Sequence, residues 1–423
     1  MMLLERKPLE QERCPELSSG RFLLYSHDGL GLGHTRRHLA IARAIAELAP
    51  TASILLALGA DEATRLDLPP GTEVLKLPGL QKRSNDEYAS RRLRISGSEI
   101  LGLRSALLHA AVKAYRPNVV LVDKHPFGVK GEFRAGLEEL RALGGVAALG
   151  LRDILDEPDT VVKEWSAYRL WERVSKFYDR ALIYGEASVF DSVVEYKFPE
   201  ALSRRTRFCG YVVNPDEPEP GTEGGSCGVS PRKNARPRIV ATAGGGEDGF
   251  KLLETFLRVA ASASWEAIAV SGPMMPGPEL KTLEELAAQA KATLHRFVPN
   301  LPRMFRTVDA LVCMGGYNTL AEAASRGVPT VCVPRTHPRR EQLIRARTFE
   351  RLGLLSVVEP EHLTGLRLER AINAILATTR ERLLERTQGT LRFDGARQAA
   401  RHLLELRSLS QLGGPAAERA PAL

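Results

Sequence analysis

Short apolar runs separated by longer amphipathic stretches organise this chain. "RFLLYS", "ASILLALG", "GTEVLKLPG", "PNVVLVDKHP", "GGVAALGLRD" and "RALIYGE" read as strands. Between them, apolar residues recur at helical spacing, as at Leu39, Ile41, Ala42 and Ile45 and again over residues 98–114. Such alternation predicts a parallel sheet covered on both faces. A second series follows: "RIVATAGGGEDGFKLLETFLRVA", "WEAIAVSGP", "ALVCMGG" and "PTVCVP". The expected fold class is α/β, with two doubly wound Rossmann-like domains facing across a cleft. Their boundaries are drawn at an N-terminal extension 1–19, a first domain 20–213 and a second domain 238–390. The Pro-, Gly- and charge-rich segment 214–237 reads as a linker. A helix over 391–410 is expected to cross back to the first domain, ahead of a loose tail 411–423.

Composition narrows the picture only a little. The chain has 423 residues and 43% hydrophobic content, enough for two cores. No apolar run reaches the length of a membrane span, and "MMLLERKPLEQERCPE" lacks the apolar centre of a signal peptide. Cys14, Cys209, Cys227, Cys313 and Cys332 show no C-x-x-C spacing, so free thiols in a reducing cytoplasm are expected. The net charge of +8 comes from arginines spread along the chain, without a basic run interleaved with aromatics, and nucleic acid is not an expected partner. The densest cluster, Lys82, Arg83, Arg91, Arg92 and Arg94, reads as a solvated loop or a contact with anionic lipid at the inner face of a membrane.

Each series opens with a glycine loop between strand and helix, an arrangement that receives anions or reacting groups. The first, "HDGLGLGH", carries Gly29, Gly31 and Gly33 and ends on His34; the second carries Gly244, Gly245 and Gly246. Neither meets the full dinucleotide-binding signature. His34 stands where a third glycine belongs, and the second loop lacks a strand-ending acidic residue about twenty positions on. More specific is residues 295–346, with Phe297, Pro299-Asn300, Gly315-Gly316-Tyr317-Asn318-Thr319, Glu322, Gly327-Val328-Pro329 and Glu341-Gln342 before Arg345-Ala346.

In order and in most spacings this segment resembles the donor-binding region of GT-B glycosyltransferases. That group includes nucleotide-sugar-dependent glucosyltransferases and the peptidoglycan N-acetylglucosaminyltransferase. The resemblance implies an enzyme that moves a sugar from a nucleotide-sugar donor, by frequency UDP-linked, to an acceptor hydroxyl, with inversion and without a metal or cofactor. Gly316, Asn318, Thr319 and the 244–246 loop would then hold the diphosphate. Glu322 would accept the ribose hydroxyls, Phe297 would pack on the base, and Glu341 and Gln342 would bind the donor sugar. His34 would be the general base, with Gly31 and Gly33 shaping the acceptor-side loop and Asp123 orienting the ring. His27, Asp28 and His125 are alternatives.

Taken singly, these residues have plainer roles: Glu322 a solvated helix position, Phe297 a core aromatic, Gln342 a cap. Two features depart from the glucosyltransferase pattern. Met314 replaces a phosphate-contacting histidine, and the loop from Pro334 to Glu341 is longer, with Arg335, His337, Arg339 and Arg340. Those cations either meet the diphosphate or an anionic donor sugar, or stay solvated. The acceptor is open among a glycan, a lipid-linked sugar and a small molecule. A nucleotide-sugar epimerase or hydrolase and a non-catalytic nucleotide-sugar binder are the rival readings.

Overall fold

The computed structural model describes residues 20–27, 32–60, 67–82, 87–214, 236–298 and 300–411. The extension 1–19, Asp28, Gly29, Gly31, Arg83, most of segment 214–237, Pro299 and residues 412–423 lie outside that description, as do Cys14 and Cys227.

Two all-parallel sheets carry the fold. The first has seven strands in the order Thr72–Lys76, Ser53–Leu58, Arg21–Ser26, Val119–Asp123, Val146–Arg152, Arg180–Tyr184 and Thr206–Phe208. The second has six, in the order Thr293–His295, Glu266–Val270, Arg238–Thr242, Ala310–Cys313, Thr330–Cys332 and Ser356–Val357. The central strands are buried from end to end, as Val119–Asp123 and Ala310–Cys313 are, because helices cover both faces of a parallel sheet. This is why they read as unbroken apolar runs and not as alternation.

In both sheets the strand order reverses next to the first strand. Ligands of such sheets bind at that reversal, beyond the strands' carboxyl ends. In the first sheet the reversal lies between Arg21–Ser26 and Val119–Asp123; in the second, between Arg238–Thr242 and Ala310–Cys313. The glycine loops follow the first strand of each pair.

Part of the arginine-bearing segment expected as a loop is ordered. Leu80–Lys82 pairs antiparallel with Tyr88–Ser90. Helix Gly97–Tyr115 then starts at a reciprocal cap, in which Glu99 N donates to Ser96 Oγ at 3.2 Å and Ser96 N donates to Glu99 Oε2 at 2.8 Å. The short strands at 206–208, 293–295 and 356–357 escaped the sequence reading because two or three residues carry too little pattern.

The last helix, Gly395–Gln411, packs on helix Leu32–Leu48 and on two strands of the first sheet. The sheets are joined directly as well. Tyr211 stacks on Tyr317 at 5.8 Å and meets Phe349 edge-on at 5.7 Å. Beside these rings Arg345, fully buried, forms a bidentate pair with Asp153, Nε to Oδ2 at 2.8 Å and Nη2 to Oδ1 at 2.7 Å. Its Nη1 donates to Gly315 O at 3.1 Å. One side chain thus ties the loop after Val146–Arg152 to the loop after Ala310–Cys313.

Removing one partner of such a pair strands the other's charge. Arg345→Ala should cost about 3–5 kcal/mol of stability in urea denaturation, whereas Arg345→Met combined with Asp153→Leu should recover most of it.

Candidate active site

Helix Leu32–Leu48 presents His34, Arg37 and His38 on one face, one turn apart, because residues at i, i+3 and i+4 share a helical face. That face meets Asp123, the last residue of its strand, at the first reversal. His34 Nδ1 lies 2.9 Å from Asp123 Oδ2. With Nδ1 carrying the proton, a tautomer assigned from this bond, Nε2 is left as a proton acceptor. Asp123 is wholly buried, while His34 keeps 14% side-chain exposure, so the ring reaches the cleft and the carboxylate does not. The expected pair is therefore assembled in the geometry that orients a base.

Arg37 is a partner that sequence reading missed. Its Nη1 donates to Asp123 Oδ2 at 2.6 Å, and its guanidinium lies 5.0 Å from the ring centres of Tyr184 and Tyr317. Burial by itself would raise the Asp123 carboxyl, but Arg37 and then His34 outweigh it and hold the carboxyl well below the usual carboxylate range. Arg37's place one turn after His34 was the available signal. The histidines around this pair, which include the alternatives His27 and His125, are governed by burial. Burial pushes His38 down to about 4 and puts His27 and His125 well below their ordinary value. His27 and His125 pack edge to face at 4.4 Å.

The second reversal holds a cavity of about 200 Å³. Gly244, Gly245, Gly246, Gly316, Thr319 and Gln342 line it, joined by Asp248, Met314 and Arg335. Helices Phe250–Ala260, Tyr317–Ser325 and Glu341–Arg351 all begin near this wall, and none has a side-chain cap. Free amides and the positive ends of three helices make the place attractive to an anion. Gly246 has to be glycine. Its φ is +103°, and a Cβ there would lie 2.6 Å from Ser271 O.

The other expected donor residues lie outside that lining. Asn318 faces the first domain, where its Nδ2 would sit 3.0 Å from a Cβ on Gly33, so the two loops meet across the cleft. Phe297 is 43% exposed and is no core aromatic, which leaves its ring face open to a base. Glu341 is buried; Oε1 accepts from Arg335 at 2.8 Å, and Oε2 has no partner among the described residues. Gln342 Oε1 accepts from Arg335 N at 3.1 Å, so it orders this loop and caps no helix.

Glu322 differs most from expectation. It is neither solvated nor open to a ligand. Its Oε1 accepts from Asn214 N at 2.8 Å and Asn214 Nδ2 at 3.0 Å, and Oε2 from Arg326 at 2.5 Å. The long arginine loop divides: Arg335 lines the cavity, while Arg339 and Arg340 lie outside its lining. Arg335 pairs with Asp248 and Glu341, Arg339 with Asp156 and Glu164, and Arg340 with Glu157. Arg339 and Arg340 therefore bridge to the first domain and do not face the cavity.

With this geometry in view, the comparisons are consistent. The fold is that of the GT-B glycosyltransferases. The glycosyltransferase SnogD from Streptomyces nogalater covers 92% of this chain and 99% of its own at 19% identity and a TM-score of 0.59. MurG from Acinetobacter baumannii covers 92% and 99% at 15% identity and a TM-score of 0.54. Within that fold, residues 249–402 match the glycosyltransferase family 28 C-terminal domain. Among curated proteins, the UDP-N-acetylglucosamine--N-acetylmuramyl-(pentapeptide) pyrophosphoryl-undecaprenol N-acetylglucosamine transferase of Yersinia pestis is 26% identical over 136 residues. That match takes in 32% of this chain and 37% of the relative.

Because its folded pKa is depressed, Asp123 contributes stability that is fully present above the unfolded value of about 4 and is lost as pH falls further. Asp123→Asn should be less stable than the native chain at pH 7 by about 1–3 kcal/mol. The gap should narrow below about pH 4 in urea denaturation.

Proposed function

We propose that the protein is a glycosyltransferase that moves a sugar from a nucleotide-sugar donor, UDP-linked, to an acceptor hydroxyl in glycan or glycolipid biosynthesis. The single observation that carries this is the His34–Asp123 pair at one sheet's reversal, set across the cleft from an amide-lined cavity at the other's. His34 Nε2 takes the proton of the acceptor hydroxyl as that oxygen attacks the anomeric carbon, and the nucleoside diphosphate leaves. Attack opposite the leaving group gives inversion. Charge growing on the leaving diphosphate is met by the uncapped helix ends beside the 244–246 loop. In this reading the reaction uses neither a metal ion nor a cofactor.

Phe297 stacks on the base, and Glu341 and Gln342 hold the sugar. Glu322 takes the ribose hydroxyls once Asn214 has given way, since the two Asn214 donors occupy the oxygen those hydroxyls need. The acceptor is lipid-linked in this reading. Leu93, Ile95 and Leu103 are exposed beside the exposed arginines Arg91, Arg92 and Arg94, a surface suited to an anionic membrane approached from the cytoplasm. No helix among the described residues is long and apolar enough to cross one.

UDP should raise the melting temperature saturably in a panel of nucleoside diphosphates and nucleotide sugars, and Phe297→Ala should weaken that effect without unfolding the protein. His34→Ala should bind donor as the native chain does but lose transfer by about 10²–10⁴-fold. Donor turnover without any acceptor would favour an epimerase or hydrolase. No stabilisation by any member of the panel would sink the donor reading. Co-sedimentation with phosphatidylglycerol vesicles, weakened by Leu93→Asp, tests the membrane contact; no binding by the native chain removes it.

A further inference from the structure

Among its described lining residues, the cavity beside the 244–246 loop has one cation, Arg335, and two carboxylates, Glu247 and Asp248. Arg335 has no assigned task in the transfer. It lies just past strand Thr330–Cys332, at the carboxyl end of the sheet, where ligands of such folds bind. Its backbone is held in place. Val333 N donates to Cys313 O at 2.8 Å, and Arg335 N donates to Gln342 Oε1 at 3.1 Å. The guanidinium therefore extends into the cavity wall from a fixed base.

Its two carboxylate partners are unequal. Nη2 donates to Glu341 Oε1 at 2.8 Å, and the Glu341 side chain is only 4% exposed. Nη1 donates to Asp248 Oδ2 at 3.1 Å, and the Asp248 side chain is 48% exposed. The first pair is an anchor, because separating it would strand a buried carboxylate. The second is a surface ion pair, which contributes little and which water can replace at Asp248. Burial alone would weaken the charge on Arg335, but Glu341 and Asp248 outweigh it and keep the guanidinium cationic. One edge of this cation can thus change partners while the other stays bound. Uncapped helix ends attract an anion to the cavity, but Glu247 and Asp248 oppose it, and Arg335 is the lining group that offsets them.

We infer that Arg335 is a binding residue for the donor's diphosphate, and that Asp248 holds its Nη1 edge until the diphosphate takes that place. This rests on the donor reading given above and adds to it a cationic contact and an internal competitor for that contact. Glu341 keeps the guanidinium at the cavity wall throughout, while Asp248 turns to water. The exchange gives up one exposed ion pair and gains a charge-assisted contact with phosphate, for which the planar guanidinium fork is well shaped.

The test is calorimetric titration of the full chain with uridine, UMP and UDP, for the native protein, Arg335→Gln, Arg335→Lys and Asp248→Asn. Arg335→Gln should bind UDP about tenfold or more weakly, with uridine affinity within about twofold of native, and Arg335→Lys should recover part of the loss. Asp248→Asn should bind UDP about twofold or more tightly, because a competitor and a like charge are gone. Loss for UDP but not UMP places the contact on the second phosphate; loss for both places it on the first. If Arg335→Gln leaves Glu341 too poorly compensated to fold, Arg335→Gln combined with Glu341→Gln replaces it, since none of the probes carries the transferred sugar. Equal losses for uridine and UDP would mark Arg335 as structural and overturn the proposal. So would UDP affinities within about twofold of native in the Arg335 variants, or no gain in Asp248→Asn, and each of these leaves the donor reading intact. If the native chain binds none of the three, the UDP-sugar donor reading fails, and the role of Arg335 fails with it.

Discussion

The buried Arg345–Asp153 pair is the constraint on which the cleft depends. Two wound sheets can be joined at many angles, and apolar contact between Tyr211, Tyr317 and Phe349 is tolerant of small rotations. A fully desolvated bidentate pair is not, because either charge left alone in that setting is strongly unfavourable. The pair sits directly behind both ligand-facing loops: Asp153 follows Arg152, and Arg345 also holds the Gly315 carbonyl just before the Gly316 helix start. Fixing this contact fixes the distance between the His34 pair and the anion cavity. The outer pairs of Arg339 and Arg340 add to the same alignment from the rim, where each is worth less.

From that alignment the two halves take different chemical work. The first sheet supplies a proton acceptor whose orientation comes from a carboxylate that Arg37 keeps ionised. The second supplies amides and helix ends, which meet negative charge without themselves titrating. In the proposed reaction, one half would meet the attacking oxygen and the other the leaving one. The strand order of each sheet explains why both sites sit where they do. At a reversal the two flanking connections run to opposite faces, and the space between the loops is open to a ligand.

Much of this was legible in the chain. Unbroken apolar runs with helical stretches between them announced the parallel strands, and the glycine loops marked the turns that follow the first strand of each sheet. His34 and Asp123 were legible as a pair only through the family resemblance, since 89 positions separate them and no local pattern links them. What could not be read was partnership across the cleft. Arginine in a loop looks the same whether it meets a phosphate, water or Glu164, and Arg339 and Arg340 proved to be structural for this reason. Glu322 was misread in its setting because helical spacing gives its face but not its burial, nor the approach of Asn214 from another segment.

Glu322 also ties the end of the first domain to the second. Its Oε1 receives two donors from Asn214, the last described residue before segment 215–235, and Tyr317 on the same helix receives Val212 N at 3.0 Å. The chain leaving the first domain is thus anchored on the helix whose N-terminus borders the anion cavity. A pair of ribose hydroxyls offers Glu322 the same number of donors as Asn214 does, so exchange would cost little in hydrogen bonds. Burial raises the Glu322 carboxyl, and Arg326 with the Asn214 donors opposes that rise, so losing donors without replacement would leave a buried charge poorly compensated. In the proposed reading, the carboxylate that holds Asn214 would therefore exchange those donors for the ribose hydroxyls and would not be left without them.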